Sequence, residues 1–500
     1  MSAQNILIRG VNWVGDAVMT LPSIESIKKG NTSSSVTLLL KPSVIPIFEK
    51  QPYIDNIIPY ASKDRGVIGK TRLLWNLKKM NFTKAYLLQN AFDAGLISFF
   101  SGIKERIGYN RDSRGWLLTK KIPYDRQDRK IHHIDYFLNI PAFDGIKAFS
   151  KNPWIFLDIN ERIHARQRLS SLRRPILGIC ASAAFGKTKM WLPDRFAEVA
   201  NWFFIKTGGS VVLFGNDPED LKIYEIQQLL KGQHINLSGQ TTLRELIALI
   251  SECDAIITND SGPLHIARAV MTPTVGIFTS TDPNLTGYNE NGFKSLKSPL
   301  TCSPCFKRTC PQGDMRCISS ISSDDVFFEV INLLPKQKAV FFDRDGTLCK
   351  DAHYLNKWDD FEPYDLKTLK TLKKAGYLLI GITNQSGISR KIVDEEFVIK
   401  VNKYFIENHH FDNFYYCPHL PEDFCSCRKP EPGLLLNARI KHNIDLKQSF
   451  FIGDKMSDVM TATAVGATGI LIGQNDDTNV PRAKTLQEAI KMILQMTKSM

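Results

Sequence analysis

The chain has 500 residues, 43% of them apolar and 23% charged, an ordinary globular composition with room for about three domains of roughly 150 residues. It has no apolar run of 18 residues, and 1–9 lack the basic start and long apolar stretch of a leader, so a cytosolic protein is expected. Of the net charge of +13, +11 sits in the first 335 residues, with 41 Lys+Arg against 30 Asp+Glu; residues 336–500 hold 23 against 21. That excess points to an anionic partner: a nucleotide, a phosphorylated glycolipid or the acidic inner face of a membrane. Plain solubility charge explains it equally well. Without a basic–aromatic recognition pattern, no nucleic-acid partner is expected.

In chain order, apolar runs rich in Val, Ile and Leu predict strands at Asn5–Arg9, 36–40, 84–89, 176–181, 211–215, Ala255–Asn259 and 274–279. They lack polar alternation, as parallel strands covered on both faces do. Helical patterns between them predict two doubly wound α/β lobes, 1–165 and 166–335, with a ligand cleft between. A polar helix is expected at 161–174, one closing helix at 319–334 and a short linker at 335–338. A third lobe, 338–500, repeats the pattern with strands at 339–342, 377–383, Phe450–Gly453 and Thr468–Ile472.

The first strand runs into Gly10-Val-Asn-Trp13-Val-Gly15-Asp16 at the start of a helix. Taken alone, Asp16 reads as a first-turn carboxylate favoured by the helix dipole. The basic stretch 104–121, with Arg106, Arg111 and Arg114, is a candidate acceptor-binding loop or a solvated face. Next, Ala181-Ser182-Ala-Ala-Phe-Gly186-Lys187-Thr188-Lys189-Met-Trp191-Leu-Pro193 follows a strand, where backbone N–H groups and Lys189 can grip a diphosphate. Thr258-Asn259-Asp260-Ser261-Gly262-Pro263-Leu264-His265 joins another strand to a helix N-terminus, a second anion cradle.

These segments, across about 1–330, resemble the ADP-heptose:lipopolysaccharide heptosyltransferases, especially the heptosyltransferase II type. The resemblance implies a GT-B fold and a metal-independent, inverting transfer from ADP-heptose to an inner-core glycolipid of lipopolysaccharide. It makes Asp16 the general base, has Lys189 balance charge on the leaving ADP, and has Asp260 orient the heptose. Adenosine falls near 215–219, and peripheral contact with the cytoplasmic face of the inner membrane follows from the acceptor.

Ten cysteines in a cytosolic chain argue for metal or reduced thiols rather than a disulfide framework. Cys302-x2-Cys305-x4-Cys310-x6-Cys317 has spacing that permits four thiolates on one metal. Four reduced thiols beside Lys307 and Arg308 read equally well. Cys180 and Cys253 sit in apolar surroundings as small hydrophobes.

In the third lobe, Ala-Val-Phe-Phe ends on Asp343-Arg-Asp345-Gly346-Thr347. A second strand ends on Thr383-Asn384-Gln385-Ser386-Gly387, and a third on Gly453-Asp454-Lys455, with Asp458 just after. Ligands of open α/β sheets bind beyond the carboxyl ends of strands, so these groups should converge. Asp343 can attack phosphorus to form an aspartyl-phosphate, and Asp345 can protonate the leaving group and then activate water. Mg²⁺ would lie between Asp343, the main-chain carbonyl of Asp345 and Asp454, with Thr383 and Lys429 on the phosphoryl oxygens. Cys417-Pro-His419 and Cys425-Ser-Cys427-Arg428-Lys429 supply a closed set of three thiolates and one imidazole, a structural Zn²⁺ site that would clamp the loop carrying Arg428 and Lys429.

This pattern looks like the haloacid dehalogenase (HAD) superfamily. Asp-Arg-Asp-Gly-Thr, Thr-Asn-Gln-Ser-Gly-Ile, Tyr-Tyr-Cys-Pro-His, Cys-Arg-Lys-Pro and Gly-Asp-Lys together resemble the D-glycero-D-manno-heptose-1,7-bisphosphate 7-phosphatases, with heptose bisphosphate the implied substrate. Histidinol-phosphate phosphatases share much of the set. The expected protein is therefore a bifunctional enzyme of lipopolysaccharide heptose metabolism: a GT-B pair of Rossmann-like lobes followed by a HAD-like phosphatase domain. Two alternatives are a histidinol-phosphatase third lobe and a non-catalytic, glycolipid-binding first half.

Overall fold

The computed structural model describes residues 4–64, 66–125, 130–183, 185–217, 220–473 and 480–498. Their strands form three six-stranded sheets, and every strand pairing within them is parallel. By internal packing the chain divides into two compact units, Met1–Leu157 with Ala165–Leu333, and Asp158–His164 with Leu334–Met500.

The first unit carries two of the sheets. One contains β1 (Asn5–Arg9), β2 (Ser35–Leu40), β3 (Asn56–Pro59), β4 (Lys84–Leu87), β5 (Glu105–Tyr109) and β6 (Lys120–Ile122), in the order β3-β2-β1-β4-β5-β6. The other contains β7 (Ile176–Cys180), β8 (Ser210–Phe214), β9 (His234–Asn236), β10 (Ala255–Asn259), β11 (Thr274–Phe278) and β12 (Phe293–Lys297), in the order β12-β11-β10-β7-β8-β9. Central strands β7, β8, β10 and β11 are buried along their whole length, as their unbroken apolar sequences require. The second unit repeats the plan with β13 (Lys338–Phe342), β14 (Tyr377–Asn384), β15 (Asn413–Cys417), β16 (Phe450–Gly453), β17 (Thr468–Ile472) and β18 (Arg482–Ala483), ordered β15-β14-β13-β16-β17-β18.

Each sheet therefore has the doubly wound order in which direction reverses beside its first strand. The crevices lie at the carboxyl ends of β1/β4, β7/β10 and β13/β16.

Several expectations are corrected. The stretch 104–121 is not one loop, since it contains β5, a 3₁₀ turn at Gly115–Leu117 and the start of β6. The polar helix spans Ile159–Arg168 rather than 161–174, and β4 ends at Leu87. The closing segment is two helices, Arg316–Ser319 and Ser323–Leu333, rather than one. The strands that the apolar runs did not reveal include all the edge strands: β3, β6, β9, β12, β15 and β18. Edge strands are covered less completely and carry polar or charged residues, such as the lysines of β6, that hide them from an apolar pattern.

Candidate active sites

In the first unit, Asp16 stands in the first turn of the helix Val14–Lys29, which follows β1. Its carboxylate is about one-third exposed, and His133 Nδ1 lies 3.8 Å from Oδ1. The N-terminus of the Gly262–Ala269 helix, beyond β10, packs against this turn. Glycine makes the approach possible on both sides. A Cβ on Gly15 would fall 2.6 Å from His265 Cδ2, and one on Gly262 would fall 2.8 Å from Val14 Cγ1. Two helix N-termini, one from each sheet, thus face a common space, an arrangement suited to anions.

Lys189 and Asp260 meet beyond β7 and β10. Lys189 Nζ lies 2.5 Å from Asp260 Oδ2, and Thr281 Oγ1 donates to the same oxygen at 2.6 Å. Burial alone would raise the Asp260 carboxyl, but the charge of Lys189 and these hydrogen bonds hold it below its ordinary range. Trp191 anchors the segment: its backbone N–H donates to Asn259 Oδ1 at 3.0 Å and its indole to Ile321 O at 3.2 Å. Ser261 caps the helix position without a side-chain bond to it, its hydroxyl 3.4 Å from that of Thr258. His265 is buried beneath the group, with Nδ1 2.9 Å from Tyr288 Oη. Burial pushes its pKa down to about 4, while the charges of Asp260 and Asp16 pull the other way. The ring senses Asp16, Lys189 and Asp260 together, which places the expected base and the diphosphate-side pair around one neutral imidazole.

The basic residues of 104–121 are corrected as an acceptor loop. Arg114 is fully buried, with its guanidinium on the Tyr109 and Gln89 carbonyls, and Arg106 is spent on the carbonyls of Ile103 and Leu117. Gly215 follows β8, and the adjoining Pro218 and Glu219 of the expected adenosine region lie outside the described residues.

In the second unit the strand ends deliver a denser site. Asp343 follows β13, and Asp454 and Asp458 follow β16; one carboxylate oxygen of each lies within 4.8 Å of the others. Lys429 is buried between two of them, its Nζ 2.8 Å from Asp343 Oδ1 and 2.7 Å from Asp458 Oδ1. Burial pushes Asp343 up to about 7 despite that ammonium, with Asp458 and Asp345 adding repulsion. Asp345 goes the other way: burial would raise it, but Arg344, Gln385 and Lys429 hold it below its usual range. Its carboxylate takes both Nε and Nη2 of Arg344 at 3.0 Å and Gln385 Nε2 at 2.7 Å. Thr383 Oγ1 donates to Asp345 at 3.3 Å. Asn384 clasps the Lys429 backbone through both ends of its amide, and Arg428 donates to His419 O at 3.2 Å.

The carboxylate group fits a hard divalent cation. Asp454 Oδ1 is buried with no hydrogen-bond partner, and three acidic groups around one lysine leave negative charge uncompensated. Gly346, at φ +89°, keeps the space open, since a Cβ there would fall 2.4 Å from Asp454 Oδ2. Asp458 is the third member of this side-chain group; sequence spacing marked it without giving it a role, and Asp345 is not in the group through its side chain. The Cys417, His419, Cys425 and Cys427 donors also lie within 4.8 Å of one another. Their sulfurs are 3.2–3.5 Å apart, far beyond a disulfide bond of about 2.05 Å, so they are four separate donors suited to zinc.

Comparison with known proteins agrees with both halves. Residues 70–316 match the glycosyltransferase family 9 (heptosyltransferase) model, and 426–494 a HAD-hydrolase-like model. The lipopolysaccharide heptosyltransferase 2 of Escherichia coli K12 is 28% identical over 348 residues, 67% of this chain and 99% of that protein. The solved structure of E. coli ADP-heptose lipopolysaccharide heptosyltransferase II is similar at 25% identity and a TM-score of 0.56, over 66% of this chain and 98% of that one. The D-glycero-beta-D-manno-heptose-1,7-bisphosphate 7-phosphatase of Photorhabdus laumondii is 37% identical over 176 residues, 32% of this chain and 94% of that protein. The chain is therefore a fusion whose N-terminal region is a heptosyltransferase II-like member of glycosyltransferase family 9 and whose C-terminal region belongs to the HAD-like heptose-1,7-bisphosphate 7-phosphatase family.

Proposed function

We propose that the first unit transfers heptose from ADP-heptose to an inner-core glycolipid acceptor, and that the second removes the 7-phosphate of D-glycero-D-manno-heptose 1,7-bisphosphate. The observation that carries the transferase reading is the Lys189–Asp260 pair beyond β7 and β10, with Asp16 in the helix turn that packs against the Gly262–Ala269 helix. Asp16 takes the proton of an acceptor hydroxyl as its oxygen attacks the anomeric carbon from the face opposite ADP. The bond to the diphosphate breaks, and the configuration inverts. Lys189, held by Asp260, meets the charge that develops on the diphosphate, as do the helix N-termini.

The convergence of Asp343, Asp454, Asp458 and Lys429 carries the phosphatase reading. Asp343 attacks phosphorus and becomes an aspartyl-phosphate while Asp345 gives a proton to the departing sugar oxygen. Asp345 then takes a proton from water, which attacks phosphorus and frees Asp343 and phosphate. For the first step Asp345 must leave the Arg344 fork, which favours its ionised form. Thr383 and Lys429 hold the phosphoryl oxygens. Magnesium, held by Asp343, Asp454 and the Asp345 carbonyl with Asp458 behind them, would supply charge neutralisation and keep Asp343 ionised. Zinc on Cys417, His419, Cys425 and Cys427 would fix the loop bearing Arg428 and Lys429.

The acceptor is a membrane glycolipid, and we place the transfer at the cytoplasmic face of the inner membrane. Among the described residues no helix is long and apolar enough to cross a membrane. Phe92, Phe99, Phe100 and Trp116 instead form an exposed aromatic patch, a surface suited to a membrane interface.

The test is phosphate release by the purified chain with Mg²⁺, comparing heptose 1,7-bisphosphate anomers with histidinol phosphate, beside ADP release from ADP-heptose with a heptose-bearing acceptor. Preference for a heptose bisphosphate and acceptor-dependent ADP release are expected. Preference for histidinol phosphate overturns the substrate of the second site; absence of transfer makes the first unit a binding module.

A further inference from the structure

The four-cysteine segment 302–317 takes no part in either reaction, yet it is bound closely to one of the sites. Ser303 Oγ donates to Thr279 O at 2.7 Å, and the Phe306 N–H to Ser280 O at 2.8 Å. Thr188 Oγ1 donates to Lys307 O at 2.6 Å, and Thr279 Oγ1 to Thr188 O at 2.5 Å. Thr188 is the neighbour of Lys189, and Thr281, two residues beyond Thr279, holds Asp260. The segment also carries Arg308, whose guanidinium lies 5.2 Å from the Phe185 ring that Lys189 covers at 4.9 Å.

All four sulfur-bearing residues line a single cavity of about 70 Å³, with Thr188 and Thr279 on its wall. The space is large enough to admit an ion. Backbone N–H groups of Met315, Gln312 and Gly313 point at Cys310 Sγ. The chain doubles back after Cys305 and Cys310 through left-handed residues, Phe306 (φ +54°), Gly313 (φ +77°) and Met315 (φ +48°). Cys317 is buried at the inner end of the segment. All four are free thiols.

We propose that Cys302, Cys305, Cys310 and Cys317 bind one thiolate-preferring divalent metal ion, with zinc(II) the probe, and that the ion locks their segment against the Lys189–Asp260 pair. Four soft donors in x2, x4 and x6 spacing suit a closed tetrahedral site with no position for water, so the role is structural. The set is more open than the Cys417 group, and Cys302 is exposed, so binding draws the 310–315 turn inward. Lys187–Lys189 and Thr279–Thr281 are then positioned through the hydrogen bonds above.

The experiment is a metal count on the full chain, purified under reduction and replete with zinc. Two zinc ions per chain are expected, one lost in Cys302→Ser/Cys305→Ser and the other lost in Cys425→Ser/Cys427→Ser. An unchanged count in the first double variant overturns the proposal. Alkylation of the unmodified chain, mapped by mass spectrometry, decides without any variant that might misfold. Protection of the four thiols that chelation removes supports the site, and equal alkylation with and without zinc overturns it. The metal count stands independently of the transferase reading. On that reading, Cys302→Ser raises KM for the sugar nucleotide roughly tenfold and leaves phosphate release unchanged.

Discussion

The two sites are built in opposite ways from the same sheet topology. The phosphatase-side group is assembled from the strands of one sheet, and its Lys429, Asp343 and Asp458 are almost wholly buried and mutually paired. The transferase-side group draws Asp16 from one sheet and Lys189 and Asp260 from another, and Asp16 is partly open to water. The first kind of site contributes to the fold as much as to chemistry. The second leaves Asp16 partly exposed, so function and stability separate.

Mutations can break that contrast or sharpen it. Asp343→Asn should lower phosphate release by at least about 10³-fold while ADP release continues unchanged. Asp16→Asn should lower acceptor-dependent ADP release by about 10²–10⁴-fold. It should change the unfolding free energy, read by denaturant titration, by less than about 0.5 kcal/mol, as a partly exposed surface change does. Lys429→Ala, by contrast, strands two buried carboxylates and should cost about 3–5 kcal/mol in unfolding of the second unit, with loss of phosphate release. Equal stability effects for Asp16→Asn and Lys429→Ala would end the comparison. Gly15→Ala should cost about 1–3 kcal/mol and weaken transfer only, because its methyl would have to displace the buried His265 ring. The smallest effect belongs to Phe100→Ser/Trp116→Ser: weaker flotation with anionic vesicles, by a few-fold, with no change in phosphate release.

How much was legible follows the same division. Asp343, Thr383 and Asp454 could be read as site residues because each sits immediately after an apolar run, and strand ends in parallel sheets are where ligands bind. Asp260 was legible for the same reason. The Arg344–Gln385 grip on Asp345 was not, since it depends on how two strand-end loops meet. His265 was visible only as a residue at the start of a helix. Its burial against Gly15 is a contact between two sheets, and no local spacing encodes it. Arg114 shows the converse error: charge in sequence suggests a surface, whereas the fold uses that guanidinium to satisfy inward carbonyls.

The burial of His265 has a further consequence as a gauge of movement. With the two lobes of the first unit closed on it, its pKa is near 4; in water the ordinary value is 6.5. Any opening that wets the ring restores the higher value, so protons bind the open arrangement more strongly. Above pH 6.5 both arrangements are neutral at this residue and acidity has no leverage. As the pH falls from 6.5 toward 4, the open arrangement gains steadily. A single imidazole resonance, followed through that window with and without sugar nucleotide, therefore reports how far the cleft stands ajar.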